Sequence, residues 1–171
     1  MLYGYARVST QGQRLERQIR NIEAYAGDRK IKIFHDKFTG ATTDRPAYNR
    51  LKSMVKQGDV IVFDSVSRMS RDAESGFNDY MWLLSKGVDL VFLKEPHINT
   101  SAYKNMQREK TAIVATGNAN TDEFIRAITK AIDDFQKKQL EQQIRIAFEQ
   151  AEKELLDIRQ RIAEGIRETK L

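Results

Sequence analysis

The stretch Leu2-Tyr3-Gly4-Tyr5-Ala6-Arg7-Val8-Ser9, followed at once by Thr10-Gln11-Gly12-Gln13, decides the fold. Its apolar run reads as a strand, and the polar break opens a helical pattern at Leu15, Ile19, Ile22 and Ala26. Three more β-like runs follow: Ile31 to Phe34, Val60 to Phe63, and Val88 to Leu93. Between them lie helical patterns at Leu51, Met54 and Val55 after the Pro46 start, and at Phe77, Tyr80, Met81 and Leu84 before Gly87. Strands alternating with helices at this rhythm predict an α/β fold, an open and mostly parallel sheet flanked by helices. Ligands of such sheets sit beyond the carboxyl ends of the strands. Ser9 falls at the end of the first strand, Asp36 just past the second, and the arginines after Phe63 past the third. The candidate chemistry therefore converges on one edge.

From about Thr121 the character changes. Glycine is absent until Gly165, proline is absent altogether, and Glu, Gln, Lys and Arg dominate. Apolar residues recur at Phe124, Ile128, Ala131 and Phe135, then at Leu140, Ile144, Phe148, Ala151, Leu155, Ile158, Ile162 and Ile166. The five-residue step from Phe135 to Leu140 predicts two helices, or one helix whose buried face rotates near 136–139. The second series is long enough for a protruding helix with a seam of coiled-coil type. A helix lying along its own domain is the alternative. Residues 1–120 are thus expected to form one α/β domain that carries the candidate chemistry, and 121–171 a helical segment carrying a long dimerisation helix.

Composition narrows the function. The chain has 171 residues, 40% of them hydrophobic, which suits a globular domain with a real core. There is no cysteine, which excludes disulfides and thiolate metal sites and fits a reducing cytoplasm. The two histidines, His35 and His97, lie far apart, so no built-in metal site is expected. No apolar run reaches the length of a membrane span. A net charge of +5 favours a polyanionic partner only mildly, so the positions of the arginines matter more than their total.

Ser9 sits where serine commonly caps a helix, at a strand-to-helix junction. Its neighbours favour more than capping. Arg7 shares a strand face with Tyr5 and Ser9, and a charge at the end of a core strand is costly unless it binds something. Arg68 and Arg71 repeat the pattern, on one face if that segment is helical. A hydroxyl among guanidinium groups suits attack on a phosphodiester, because arginine holds phosphate oxygens through a planar fork and stays charged. No glycine-rich Gly-x-x-x-x-Gly-Lys loop is present to suggest nucleotide binding.

The ordered blocks Tyr5-Ala6-Arg7-Val8-Ser9-Thr10 with Gln13 and Gln18, Asp36-Lys37-Phe38-Thr39-Gly40, Asp44-Arg45-Pro46, Gly58-Asp59 and Ser67-Arg68-Met69-Ser70-Arg71 resemble the catalytic domain of serine recombinases. The resemblance covers about residues 1 to 95. It implies a site-specific DNA recombinase in which Ser9 attacks the DNA phosphate and leaves a 5′-phosphoserine link and a free 3′-hydroxyl. Arg7, Arg45, Arg68 and Arg71 would bind the non-bridging oxygens, with Arg68 also helping to protonate the leaving oxygen. Tyr5, Gln13 and Asp36 would orient them. No cofactor or metal is implied. The partners would be double-stranded DNA and further copies of the chain, a homodimer and then a tetramer in the synaptic complex. The alternative is a catalytically silent assembly module of the same fold.

Two departures stand out. Ser67 occupies a position where the family carries an aspartate, so Asp36 or Asp64 would have to orient the arginines. On the C-terminal helix, Arg161 within Ile158-Arg159-Gln160-Arg161-Ile162-Ala163-Glu164-Gly165 is the candidate for an arginine reaching the site. Self-association is expected along Ile144, Phe148, Ala151, Leu155, Ile158 and Ile162. The family's separate DNA-binding module has no counterpart in the sequence, which reads as an excised catalytic domain or, alternatively, a naturally short protein.

Overall fold

The computed structural model describes residues 1–8, 12–37, 44–108 and 116–168, with backbone only at 12–14, 103, 106–108 and 166–168. Strand β1 (Leu2–Val8) leads to helix α1 (Gly12–Ala26), β2 (Ile31–Lys37) and α2 (Pro46–Met54). Next come β3 (Val60–Phe63), the short α3 (Val66–Met69), α4 (Ala73–Ser85) and β4 (Asp89–Phe92). A 3-10 turn at Pro96–Ile98, α5 (Thr100–Arg108) and α6 (Ala119–Glu168) complete the described chain. The four strands form one parallel sheet in the order β2-β1-β3-β4. The open α/β architecture expected from the alternating pattern is the one observed. The chain leaves β1 for β2 on one side and returns to β3 on the other, so the carboxyl ends of β1 and β3 flank a topological switch point.

Alternation along β1 divides the core in two. Leu2, Ala6 and Val8 face α1, where Ile22 and Ala26 pack with Val62. Gly4 lies on this side because a Cβ there would stand 2.6 Å from Cγ2 of Ile22, so only glycine lets α1 approach this closely. Tyr3 and Tyr5 face the other way, into a larger cluster with Tyr48, Leu51, Phe63, Tyr80 and Phe92. Leu140, Ile144, Ala147 and Phe148 of α6 close that cluster. The Phe148 ring occupies the space left by Gly76 of α4, where a Cβ would come within 2.3 Å of it.

The outer edge of β4 is closed by side chains. The Leu90 amide donates to Oγ1 of Thr100 at 3.0 Å, and the Phe92 amide donates to Oδ1 of Asn99 at 2.7 Å. Both acceptors lie just beyond the strand, at the start of α5, and they take hydrogens that a neighbouring strand would otherwise claim.

Helix α6 is one continuous helix, and the step between Phe135 and Leu140 marks the rotation of its apolar face. Its middle lies along its own domain, and this corrects the expected self-association seam. Ile144 and Phe148 are buried in the core, and Ala151 and Leu155 are half-buried. Only Ile158 and Ile162 of that series remain exposed. No helix among the described residues is long and apolar enough to cross a membrane.

Candidate active site

Arg7 leaves β1 opposite Asp36 of β2, with only 5% of its surface exposed. Gln18 of α1 locks the strand end: its Oε1 accepts the Arg7 amide and its Nε2 donates to the Arg7 carbonyl, both at 3.1 Å. The guanidinium then reaches across the switch point, Nη2 donating to the Ser67 carbonyl at 2.7 Å. Arg68 returns the link, its Nη1 donating to the Arg7 carbonyl at 3.3 Å. Ser67 thus contributes through its backbone, while its hydroxyl pairs with that of Ser65 at 3.0 Å.

Asp36 organises the β2 side. Its Oδ2 accepts the Tyr5 hydroxyl at 2.9 Å and the Tyr48 amide at 3.0 Å, and its Oδ1 accepts the Ala47 amide at 3.0 Å. The two amides belong to the first turn of α2, which Pro46 opens. Asp36 therefore caps that helix from another strand and fixes where Arg45, at its N-cap, must sit. The Arg45 guanidinium lies 3.7 Å from the centroid of the Tyr48 ring and 5.8 Å from that of Tyr5. Burial, together with the Asp36 charge, pushes the Tyr5 phenol well above its ordinary value against the pull of Arg45. Tyr5 therefore stays protonated and donates to Asp36.

Arg68 lies in α3, but Arg71 lies beyond it. Ser70 at the helix end is extended, with φ −145° and ψ 161°. One helical face does not join the two arginines, as the sequence suggested; a turn followed by an extended residue does. The electrostatics show how close the cluster is. Burial, then the fields of Arg71, Arg45 and Arg68, bring Arg7 down from the ordinary 12.5 to about 10. Arg71 is lowered by burial and by Arg159, Arg68 and Arg45. Nε of Arg7, and Nε and Nη2 of Arg45, are buried donors with no hydrogen-bond acceptor among the described residues. Crowded cations with spare donors form a receptacle for a multiply charged oxyanion.

The long-helix arginine in the field of Arg71 is Arg159. Both arginines are exposed, and Arg161, the candidate from sequence, lies two residues on, about 200° around the helix from Arg159. A signal for Arg159 was present in the spacing. Phe148, Glu152, Leu155 and Arg159 step by four, three and four, and Glu152 accepts the Ala73 amide at 3.3 Å on this face. Ser9 lies outside the described residues, one residue beyond Val8 and the next but one after Arg7. Gln13 lies in the first turn of α1, where only the backbone is described.

Asp64, at the carboxyl end of β3, is buried beside this cluster. Asn21 donates to its Oδ1 at 2.7 Å and Lys94 to its Oδ2 at 2.9 Å. Burial raises its pKa, but Asn21, Lys94 and the field of Arg68 outweigh this and hold it below 3.8. Among the described residues, no three His, Asp or Glu side chains come together to hold a metal ion.

Residues 2–155 match the family model described as the resolvase N-terminal domain. The chain is 44% identical over 94 residues to the transposon Tn3 resolvase of Escherichia coli, covering 55% of this chain and 50% of that protein. It is 33% identical over 101 residues to a resolvase of Clostridium perfringens, covering 59% and 53%. A crystal structure of a resolvase family site-specific recombinase from Streptococcus pneumoniae covers 99% of this chain and 98% of its own, at 19% identity and a TM-score of 0.48. The chain spans about half the length of the curated relatives it matches. With the family model extending from β1 through the half of α6 that seals the core, the chain belongs to the resolvase family.

Proposed function

We propose that the chain is the catalytic part of a site-specific DNA recombinase that cuts and rejoins strands through a serine. The observation that carries this reading is the convergence of Arg7, Arg45, Arg68 and Arg71 on the carboxyl ends of the strands, with buried donors of Arg7 and Arg45 that no acceptor among the described residues fills. Ser9 Oγ gives up its proton as it attacks the phosphorus, the bond from phosphorus to the 3′-oxygen breaks, and the leaving oxygen takes up a proton with help from Arg68, so no net proton is gained or lost. The product is a 5′-phosphoserine and a free 3′-hydroxyl. The covalent link conserves the phosphodiester, so attack by a 3′-hydroxyl reverses the step without an energy source. The arginines offset the charge that grows on the non-bridging oxygens. Asp36 and Tyr5 hold Arg45 from behind, and Gln13 sits at the opening of α1 to orient the serine. Arg159 is the fifth guanidinium of this constellation, acting from α6 in the role the sequence suggested for Arg161.

Each serine cuts one strand, and exchange between two duplexes breaks four, so the active form on DNA is a tetramer assembled from dimers. Ser9→Ala is expected to abolish cleavage of plasmid DNA bearing a recognised site, with thermal unfolding unchanged. A covalent adduct between protein and a 5′ end, formed by the alanine variant, would remove the serine from the reaction.

A further inference from the structure

Helix α3 is a single turn, Val66–Met69, and a single turn has no stability of its own. Yet two contacts of the guanidinium cluster run through it. Arg7 is anchored on the Ser67 carbonyl, and Arg68 reaches from the next residue to the Arg7 carbonyl. Whatever fixes this turn bears on both arginines. Val66 and Met69 are fully buried and seat one side of it in the core. Seats along one line leave the turn free to tilt about that line, and a tilt would move the Ser67 carbonyl and the Arg68 side chain together.

The amino end of the turn is where that freedom is lost. Ser65, at the N-cap, makes no side-chain cap, and its hydroxyl pairs with that of Ser67. The Val66 amide is one of the donors that a first turn leaves without a helical acceptor, and it donates to Oε2 of Glu95 at 3.1 Å. Glu95 follows β4 and is itself held from both sides. The pairing of β3 with β4 continues past the strands, the Leu93 amide donating to the Phe63 carbonyl at 3.0 Å and the Lys94 amide to the Asp64 carbonyl at 3.2 Å. Beyond it, the Ile98 amide donates to the Glu95 carbonyl at 3.2 Å, and the Tyr80 hydroxyl donates to the Ile98 carbonyl at 2.7 Å. Burial, with the field of Asp64, pushes the Glu95 carboxyl above its ordinary range against the Val66 amide, Lys94 and His97. The span from β4 is what a serine at the N-cap cannot supply: it ties the turn to the sheet. Ser67 brings no carboxylate to the turn, and Glu95 supplies one from outside it.

We propose that Glu95 is a positioning residue of the guanidinium cluster: by holding the Val66 amide it sets the tilt of α3, and with it the places of Arg68 and of the Ser67 carbonyl that anchors Arg7. This role rests on the recombinase reading for what the cluster does, and on geometry alone for how the cluster is held.

Two substitutions separate reach from charge. Glu95→Asp keeps the charge but withdraws it by one methylene, out of range of the Val66 amide. Glu95→Gln gives up the charge and keeps an acceptor oxygen in range. In protein isotope-labelled at arginine nitrogen, the Nε–Hε resonances of Arg7 and Arg68 should shift and exchange faster with water in Glu95→Asp. That of Arg45, which Asp36 places, should not. Glu95→Gln should return both toward wild type. Single-turnover cleavage should fall at least ~10-fold in Glu95→Asp at unchanged half-saturating DNA, since a misplacement of about 1 Å can cost on the order of 100-fold. Glu95→Gln should recover most of that loss. A lowered melting temperature in Glu95→Asp with the Arg7 and Arg68 resonances unmoved would make Glu95 a stabilising residue only and overturn the proposal. Equal effects of the two variants would overturn it too, by assigning the role to charge. The resonances need no DNA, so a chain that cleaves nothing would count against the recombinase reading while they still decide this one.

Discussion

Arg7 carries its charge nearly out of water and within the fields of three other arginines, and this arrangement is least costly with an anion present. Sulfate should therefore stabilise the protein beyond what chloride does at equal ionic strength. At ten times its dissociation constant a bound anion contributes about 1.4 kcal/mol. Arg45→Met, which keeps a side chain over Tyr48 and removes the fork, is expected to lose at least half of that increment in thermal melts. Equal sulfate and chloride curves for the wild type would mean the donors bind no anion. In catalysis, Arg68→Lys should cost at least ~2 to 3 kcal/mol of transition-state stabilisation, comparable to losing an oxyanion donor, and single-turnover cleavage would measure it. Asp64 makes a separate prediction, in acid. Its folded pKa lies below the unfolded 3.8, so its contribution is fully present above that value and is lost as pH falls through the folded one. Asp64→Asn should be less stable than wild type at pH 6, and the gap in urea midpoint should close below pH 4. A gap independent of pH would assign the loss to packing.

At the scale of elements, the strands and most helices were legible because their patterns are local. The apolar run of β1, the Pro46 start of α2 and the glycine that ends α4 each act within a few residues. The break between Phe135 and Leu140 announced a rotation of the buried face of α6. It could not say which face meets the sheet, because periodicity defines a stripe without naming what covers it. The choice was made at Gly76, a residue 72 positions before Phe148, whose missing Cβ admits the ring. The same limit hid the difference between Arg159 and Arg161. The two differ by a phase on the helix, and that phase is set only once Phe148 is seated. Asp36 was legible as a candidate residue, but its grip on the first turn of α2 required the fold. Gly76→Ala should drive a methyl into the Phe148 ring and cost about 1–3 kcal/mol, lowering the melting temperature. Phe148→Leu in the same chain should return part of that loss. If Gly76→Ala melted like the wild type, α6 would not be seated as described.

Across the whole molecule, α6 divides into a part that completes the core and parts that extend past it. Stopping the chain after Leu155 removes no buried side chain among the described residues, so the fold should survive with little change in melting temperature. Cleavage should nevertheless fall, because Arg159 goes with the removed segment. Stopping after Gln139 strips Leu140, Ile144 and Phe148 from the core and should leave no cooperative unfolding transition. The edge of β4 governs a different hazard. A foreign strand seeking to add there would have to break the bonds that Thr100 and Asn99 already make before forming any of its own. Those two side chains follow β4 closely in the chain, so the edge closes as soon as the strand is placed. When several copies crowd together, what they present on that side is a finished surface, and sheet-to-sheet aggregation has no template there from which to grow.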